Sequence, residues 1–217
     1  MEIVFISGWA TTSAIWKNIG DTGFPVHYLE WNEVLAGSVT LPSSCIVVGW
    51  SLGGQLALDM LNFPEVKGLL LISSMSCIAS ASGRPGVDPS SFHEISSMLS
   101  RSRAGYLKSF FRKCGAGRDE LPELMKQSSS FTDEELLLGL EMMFKKVVKP
   151  ARSLPATLIH GTSDAIIPFE CSMHIFEEML FMCTSLVPVS GGNHLLPLTH
   201  PDVVTEAIKE LAERIDS

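Results

Sequence analysis

Ser51 stands in the run Val47-Val48-Gly49-Trp50-Ser51-Leu52-Gly53-Gly54-Gln55, with a glycine two residues before it and another two residues after. A serine hydroxyl is a weak nucleophile at neutral pH unless a base lies within hydrogen-bonding reach, itself held in one tautomer by a carboxylate. A β-rich stretch, Cys45 to Trp50, precedes the serine, and a helical pattern, Leu52 to Asn62, follows it. The serine therefore belongs on a tight strand-to-helix turn that lifts its hydroxyl into the open. Tiny residues at 49 and 53 let strand and helix approach each other. Gly-x-Ser-x-Gly by itself recurs by chance in Gly/Ser-rich loops, and the flanking strand and helix set this one apart. The free N–H groups at the start of the Leu52 helix point to where an oxyanion would form.

Where a serine is placed in this way, its partners follow along the chain in the order acid, then histidine. Asp164 is the candidate acid, in the loop that closes Leu158-Ile159-His160-Gly161-Thr162-Ser163-Asp164. The other available position, Ser73-Ser74-Met75-Ser76, holds no carboxylate, and Asp59 and Asp202 fall in helical patterns. His194, after Gly191-Gly192-Asn193 and just beyond a strand, is the candidate base, with His200 as the alternative. His174 lies in a helical pattern, and His27, His93 and His160 read as structural. The oxyanion donors are expected to be the backbone N–H groups of Leu52 and of Trp9, the latter from the loop Ser7-Gly8-Trp9-Ala10.

The elements that must position these residues alternate along the chain. Ile3 to Ser7, Val26 to Glu30, Cys45 to Trp50, Gly68 to Ser74, Ala156 to Gly161 and Thr184 to Val189 read as strands. Several are apolar on both faces, as in a parallel sheet covered by helices on both sides. Helices are expected at Leu52 to Asn62, Phe169 to Phe181 and Pro201 to Ile215, the last opening on proline. Between Met75 and Pro150 the alternation stops: a Ser/Gly/Pro-rich loop, Ser76 to Pro89, gives way to helical periodicity. This reads as a helical lid over residues 76–150, inserted into a core formed by 1–75 and 151–217.

At 217 residues, 46% apolar and 18% charged, the chain is expected to form one folded unit with a substantial core. The apolar start carries an acid at position two and no basic leader, and no apolar run is long enough for a bilayer, so a soluble cytoplasmic protein is expected. Five cysteines without Cys-x-x-Cys spacing suggest reduced thiols rather than a disulfide framework or a zinc site. A net charge of −8 disfavours nucleic-acid binding. No metal or organic cofactor is called for, and the chain is expected to be a monomer.

By its serine turn and the order of its three polar residues, the chain is identified as a member of the α/β-hydrolase class, a mostly parallel sheet flanked by helices with an inserted helical lid. Within it, the chain resembles the pimeloyl-[acyl-carrier protein] methyl ester esterases of biotin synthesis. The resemblance rests on Gly8-Trp9, on Gly49-Trp50-Ser51-Leu52-Gly53-Gly54, and on Ser73 to Pro89 with its Arg-Pro-Gly-Val-Asp-Pro segment. It continues through Leu107 to Phe111 and Gly139-Leu140-Glu141. It implies hydrolysis of a methyl ester on a carrier-bound acyl chain, catalysis by Ser51, Asp164 and His194, and substrate contacts from Trp9, Leu52 and Phe110. The chain departs from the family at Ser7, where a histidine is usual, and at Trp31-Asn32-Glu33-Val34-Leu35, which replaces a Gly-rich segment.

The lid adds two observations of its own. From residue 101 to 118 it holds Arg101, Arg103, Lys108, Arg112, Lys113 and Arg118 and no acid, within an acidic protein. Such a basic stretch suits an acidic acyl-carrier protein, with Arg101, Arg103, Lys108 and Arg112 as its contacts, and it suits a solvated helix face equally well. Phe110, Phe111 and further Phe and Met residues of the lid suit an apolar channel for an acyl chain. The same fold and triad also serve general carboxylesterases, thioesterases and carbon–carbon bond hydrolases, and a non-enzymatic acyl-binding protein could keep the same shell.

Overall fold

The computed structural model describes residues 1–37, 39–149, 154–178 and 184–216. Six strands form a single sheet: β1 (Glu2–Ile6), β2 (Val26–Leu29), β3 (Cys45–Trp50), β4 (Val66–Ile72), β5 (Ala156–Gly161) and β6 (Thr184–Val189). Their order across the sheet is β2-β1-β3-β4-β5-β6, and every neighbouring pair is parallel. The chain steps outward from β1 to β2, then crosses back to β3 and continues in the opposite direction. The carboxyl ends of β1 and β3 therefore flank the point where strand order reverses, which is where open α/β sheets bind their ligands. β3 is buried along its whole length, as its unbroken Cys-Ile-Val-Val-Gly-Trp run requires.

Among the described residues the helices are α1 (Trp31–Leu35), α2 (Leu52–Asp59), α3 (Ser91–Arg101), α4 (Arg103–Lys113), α5 (Glu120–Ser128), α6 (Asp133–Lys145), α7 (Phe169–Glu178), α8 (Leu196–Thr199) and α9 (Pro201–Asp216). α2 packs on β3 and β4, α7 on β5 and β6, and α9 on β4 and β5. The helix expected over Leu52 to Asn62 ends as a 3-10 turn, Met60–Asn62. The end of the helix expected over Phe169 to Phe181 lies outside the described residues, as do the expected lid boundary at 150/151 and Cys183. Cys45, Cys77, Cys114 and Cys171 are buried and carry no disulfide. No described helix is long and apolar enough to cross a membrane.

α3 to α6 all lie between β4 and β5, in the segment read as an insertion. Its two ends are bonded to each other: Ile78 N donates to Met143 O (2.8 Å) and Val148 N to Ser76 O (3.0 Å). They are also bonded to α2, where the buried Gln55 Nε2 donates to Ser76 O, Met142 O and Lys146 O at 3.1, 3.3 and 2.9 Å. At the opposite end of α6, Asn32 of α1 donates to Glu135 Oε1 (2.7 Å), and the Trp31 ring lies 5.0 Å from that of Phe131. α1 thus serves as a seat for α6.

Candidate active site

Ser51 is the first residue after β3 and has φ 56° and ψ −120°, a left-handed conformation that a side chain rarely adopts. Such a residue stores about 1–3 kcal/mol and persists because its surroundings over-determine it. The two glycines supply that constraint. A Cβ on Gly49 would lie 2.4 Å from Gly53 O, and one on Gly53 2.3 Å from Ile6 O. The backbones of β3, α2 and β1 therefore meet at a spacing that only glycine permits. Ser74 Oγ donates to Ser51 O (3.0 Å), fixing the turn from the end of β4.

Asp164 and His194 come from the loops after β5 and β6, and the pairing of those strands brings the loops together. Ser163 N donates to Gly192 O (2.9 Å) and Gly191 N to Thr162 Oγ1 (2.9 Å). A Cβ on Gly161 would lie 2.3 Å from Gly192 O, so this approach also depends on glycine. His194 Nδ1 is 2.7 Å from Asp164 Oδ2, and His194 Nε2 is 3.1 Å from Ser51 Oγ. With Nδ1 facing a carboxylate it must carry the proton, which leaves Nε2 to accept the serine's O–H. Trp50 Nε1 donates to His194 O (2.8 Å), so the residue beside the serine also holds the histidine's backbone.

The structure thus brings Ser51, His194 and Asp164 into one hydrogen-bonded line. His200 lies elsewhere, at the end of α8, with its Nδ1 2.9 Å from Thr199 Oγ1.

The sequence profile of the alpha/beta hydrolase family matches residues 19–207. The chain belongs to the alpha/beta hydrolase family. Among curated proteins, the hydrolase is similar to the pimeloyl-[acyl-carrier protein] methyl ester esterase of Wigglesworthia glossinidia brevipalpis, 24% identical with 100% of this chain and 95% of that protein covered. Among solved structures it is similar to an esterase from Exiguobacterium antarcticum, TM-score 0.79 at 16% identity, covering 100% of this chain and 92% of that one. A bromoperoxidase from Bacillus anthracis superposes with TM-score 0.80 at 17% identity, covering 98% and 92%. At these identities the structural likeness fixes the fold and leaves the chemistry to the site.

In the hydrolase the side chains of Asp164 and His194 are both fully shielded from solvent. Burial pushes the Asp164 carboxyl upward, but the neighbouring His194 charge and the hydrogen bonds from His160 and His194 outweigh it, holding the carboxyl well below its ordinary range. Its other oxygen, Oδ1, accepts from Ile166 N (2.8 Å) and Ile167 N (2.9 Å).

Gly8 passes directly against β3's end, since a Cβ there would lie 2.5 Å from the Trp50 ring. Among the described residues the backbone N–H groups of Trp9 and Leu52 have no hydrogen-bond partner. Ser7 braces this loop by donating to Glu30 Oε2 (2.8 Å), while Glu30 Oε1 accepts from Ser13 N (2.8 Å). That brace was missed in the sequence, where Ser7 stood out only as an unusual replacement for histidine.

A cavity of about 570 Å³ opens above Ser51, between Trp9 and the helices of the insertion. Tyr106, Ser109, Phe110 and Lys113 of α4 line it, with Ser102 just before the helix and apolar side chains such as Ile78, Leu140 and Met143. Phe110 lies edge-on to Trp9, with ring centroids 5.2 Å apart. Two expected substrate contacts need correction. Phe111, one residue further around α4, is turned away and fully buried in the insertion's own core. The Leu52 side chain is also fully buried, and Leu52 does not line the cavity.

Arg103 also has partners within the insertion. It donates to Asp133 Oδ1 (2.9 Å), Ser128 O (2.6 Å) and Phe131 O (2.6 Å), tying α4 to the turn between α5 and α6. Its side chain stays 29% exposed. Arg101, Lys108 and Arg112 are exposed, and Arg101 also lines the cavity.

Proposed function

We propose that this hydrolase is a serine carboxylesterase whose substrate is the methyl ester of a pimeloyl chain carried by acyl-carrier protein, acting in the cytoplasm as a monomer in biotin synthesis. The observation that carries the reading is the line from Ser51 Oγ through His194 Nε2, 3.1 Å away, to Asp164 Oδ2, 2.7 Å from the far ring nitrogen. Ser51 attacks the ester carbonyl while His194 takes its proton, and Asp164 holds the ring and balances the imidazolium. The oxyanion sits between the N–H groups of Trp9 and Leu52, each contributing about 3 to 4 kcal/mol to the transition state. His194 then protonates the leaving methoxide, and a water activated by the same ring releases the acid from Ser51.

The substrate assignment draws support from the name of the Wigglesworthia relative and from two features of the insertion. The cavity is large enough for an acyl chain with part of the arm that bears it, and one wall is apolar while the α4 wall carries hydroxyls. Arg101, Lys108 and Arg112 present positive charge on an otherwise acidic protein, which favours an acidic carrier.

The test compares kcat/KM for carrier-bound pimeloyl methyl ester with that for the free methyl ester, a thioester and a ring-fission product. The reading expects preference for the carrier-bound methyl ester and, on converting Arg101, Lys108 and Arg112 to Glu, a loss confined to that substrate and greatest at low salt. Equal turnover of free and carrier-bound ester, indifferent to charge reversal, would overturn the carrier assignment. Acyl binding without any turnover, unchanged in Ser51→Ala, would overturn the enzyme reading.

A further inference from the structure

His160 lies on β5, four residues before Asp164, with its side chain fully shielded from solvent. Its Nε2 is 3.0 Å from Ile167 O and 3.3 Å from Asp164 Oδ2, while its Nδ1 is 2.7 Å from Ser172 Oγ on α7. The edge of Phe169 closes a further side, with ring centroids 5.7 Å apart. A nitrogen facing a carbonyl and a carboxylate must carry a hydrogen, so Nε2 is the donor, and Nδ1 of the neutral ring accepts the Ser172 O–H. Asp164 Oδ2 therefore lies between two imidazoles, His194 on the side of the serine and His160 on the side of α7.

Resting on the triad roles proposed above, we infer that His160 is a positioning residue for catalysis: its Nε2–H, bonded to Ile167 O and 3.3 Å from Asp164 Oδ2, holds the carboxylate in line with His194 and draws off part of its negative charge. A carboxylate that shares its charge with a second donor grips the His194 imidazolium less tightly. His160 thereby tempers the pull of Asp164 on the His194 ring, which leaves that ring able to take the serine proton and pass it on. Ser172 sets the tautomer, so the chain of contacts runs from Ser172 through His160, Asp164 and His194 to Ser51.

The other ionisable groups around this pair are Cys114, just past α4, with Lys113 beside it, and Cys171 of α7, with Glu170 and, from the loop before α3, Cys77 and Arg84 near it. Burial pushes the Cys114 and Cys171 thiols up, that of Cys171 to about 12, so they stay neutral in the working range.

The test is the pH profile of kcat/KM for a small methyl ester, measured on the full chain as wild type, His160→Leu, His160→Gln and Ser172→Ala. Without the donor, the carboxylate's full charge falls on His194, so the acid limb of the His160→Leu profile moves up by about one pH unit. Activity then falls about tenfold on the acid side of the limb, with a much smaller loss above pH 8. His160→Gln, which restores an N–H near the position of Nε2, returns the limb toward the wild-type midpoint. Ser172→Ala moves it in the same direction as His160→Leu but less, and serves as the deciding variant if His160→Leu does not fold. An unmoved midpoint in Ser172→Ala and in whichever His160 variants fold overturns the inference, as does an equal displacement in the Leu and Gln variants. These outcomes are separable from failure of the esterase reading, in which wild type itself would show no Ser51-dependent turnover.

Discussion

Gly139 sits in the middle of α6, yet substitution there should be felt at the oxyanion site. A Cβ at this position would lie 2.6 Å from Trp9 Cδ1, 2.8 Å from Trp31 Cζ3 and 3.0 Å from Trp9 Nε1. The Trp9 ring has little freedom to yield, because its Nε1 donates to Leu136 O (2.8 Å) and Phe110 abuts it. Alanine gains about 1 kcal/mol over glycine in a helix interior. Overpacking costs about 1–3 kcal/mol, and a ring forced off its carbonyl forfeits roughly a further 1 kcal/mol. The net expectation for Gly139→Ala is destabilisation by about 1–3 kcal/mol. Its backbone follows the displaced ring, and partial loss of one oxyanion donor lowers kcat about ten- to a hundredfold. KM for a short methyl ester changes little, since that interaction forms only in the transition state. Denaturant unfolding and steady-state kinetics on the purified variant read both quantities. A variant more stable than wild type, with kcat unaltered, would refute the claim that α6 pins Trp9.

Two further outcomes follow from the buried polar groups. Gln55→Leu removes a donor from three carbonyls, but Ser76 O keeps Val148 N and Met142 O keeps Lys146 N, and only Lys146 O is left to water. Its midpoint in urea should therefore correspond to a loss of about 1 kcal/mol, whereas Gln55→Glu, which buries a charge facing three carbonyls, should lose about 3 kcal/mol or more. For Asp164, the folded carboxyl titrates below its unfolded value, so its ionised form adds stability that is fully present above the unfolded value and lost as pH falls below it. The stability difference between wild type and Asp164→Asn should shrink as pH falls below about 4, with kcat at pH 7 reduced about ten-thousandfold. A difference that grows as pH falls below about 4 would contradict the ion pairing.

Much of the framework was legible because its causes are local. The β3 run and the glycines at 49 and 53 announce a tight strand-to-helix turn through composition alone, and the strands at 45–50, 156–161 and 184–189 begin and end where expected. β4 was misplaced by two residues. It starts at Val66, beside an exposed lysine that looks like loop, and ends before Ser73, whose φ of 44° no residue list reveals.

The insertion was harder to read, for two physical reasons. Neighbouring residues on a helix point about 100° apart, and the edge of the lining face falls between Phe110, which borders the cavity, and Phe111, which is buried. The spacing Ser102, Tyr106, Ser109, Lys113 carried that information, but only once the position of the cavity was known. The fate of Arg103 was set by carbonyls and a carboxylate 25 to 30 residues downstream, beyond the reach of any local pattern. Ser7 with Glu30, and Gln55 with its carbonyls, were hidden for the same reason.

The central claim is that Ser51 is activated by His194 across a 3.1 Å contact. Its most direct test is brief treatment with a fluorophosphonate followed by peptide mass spectrometry. The account predicts one phosphonylated residue, Ser51, labelled rapidly in wild type and very slowly in His194→Ala. Labelling of a different serine, or equal labelling rates with and without the His194 ring, would contradict it.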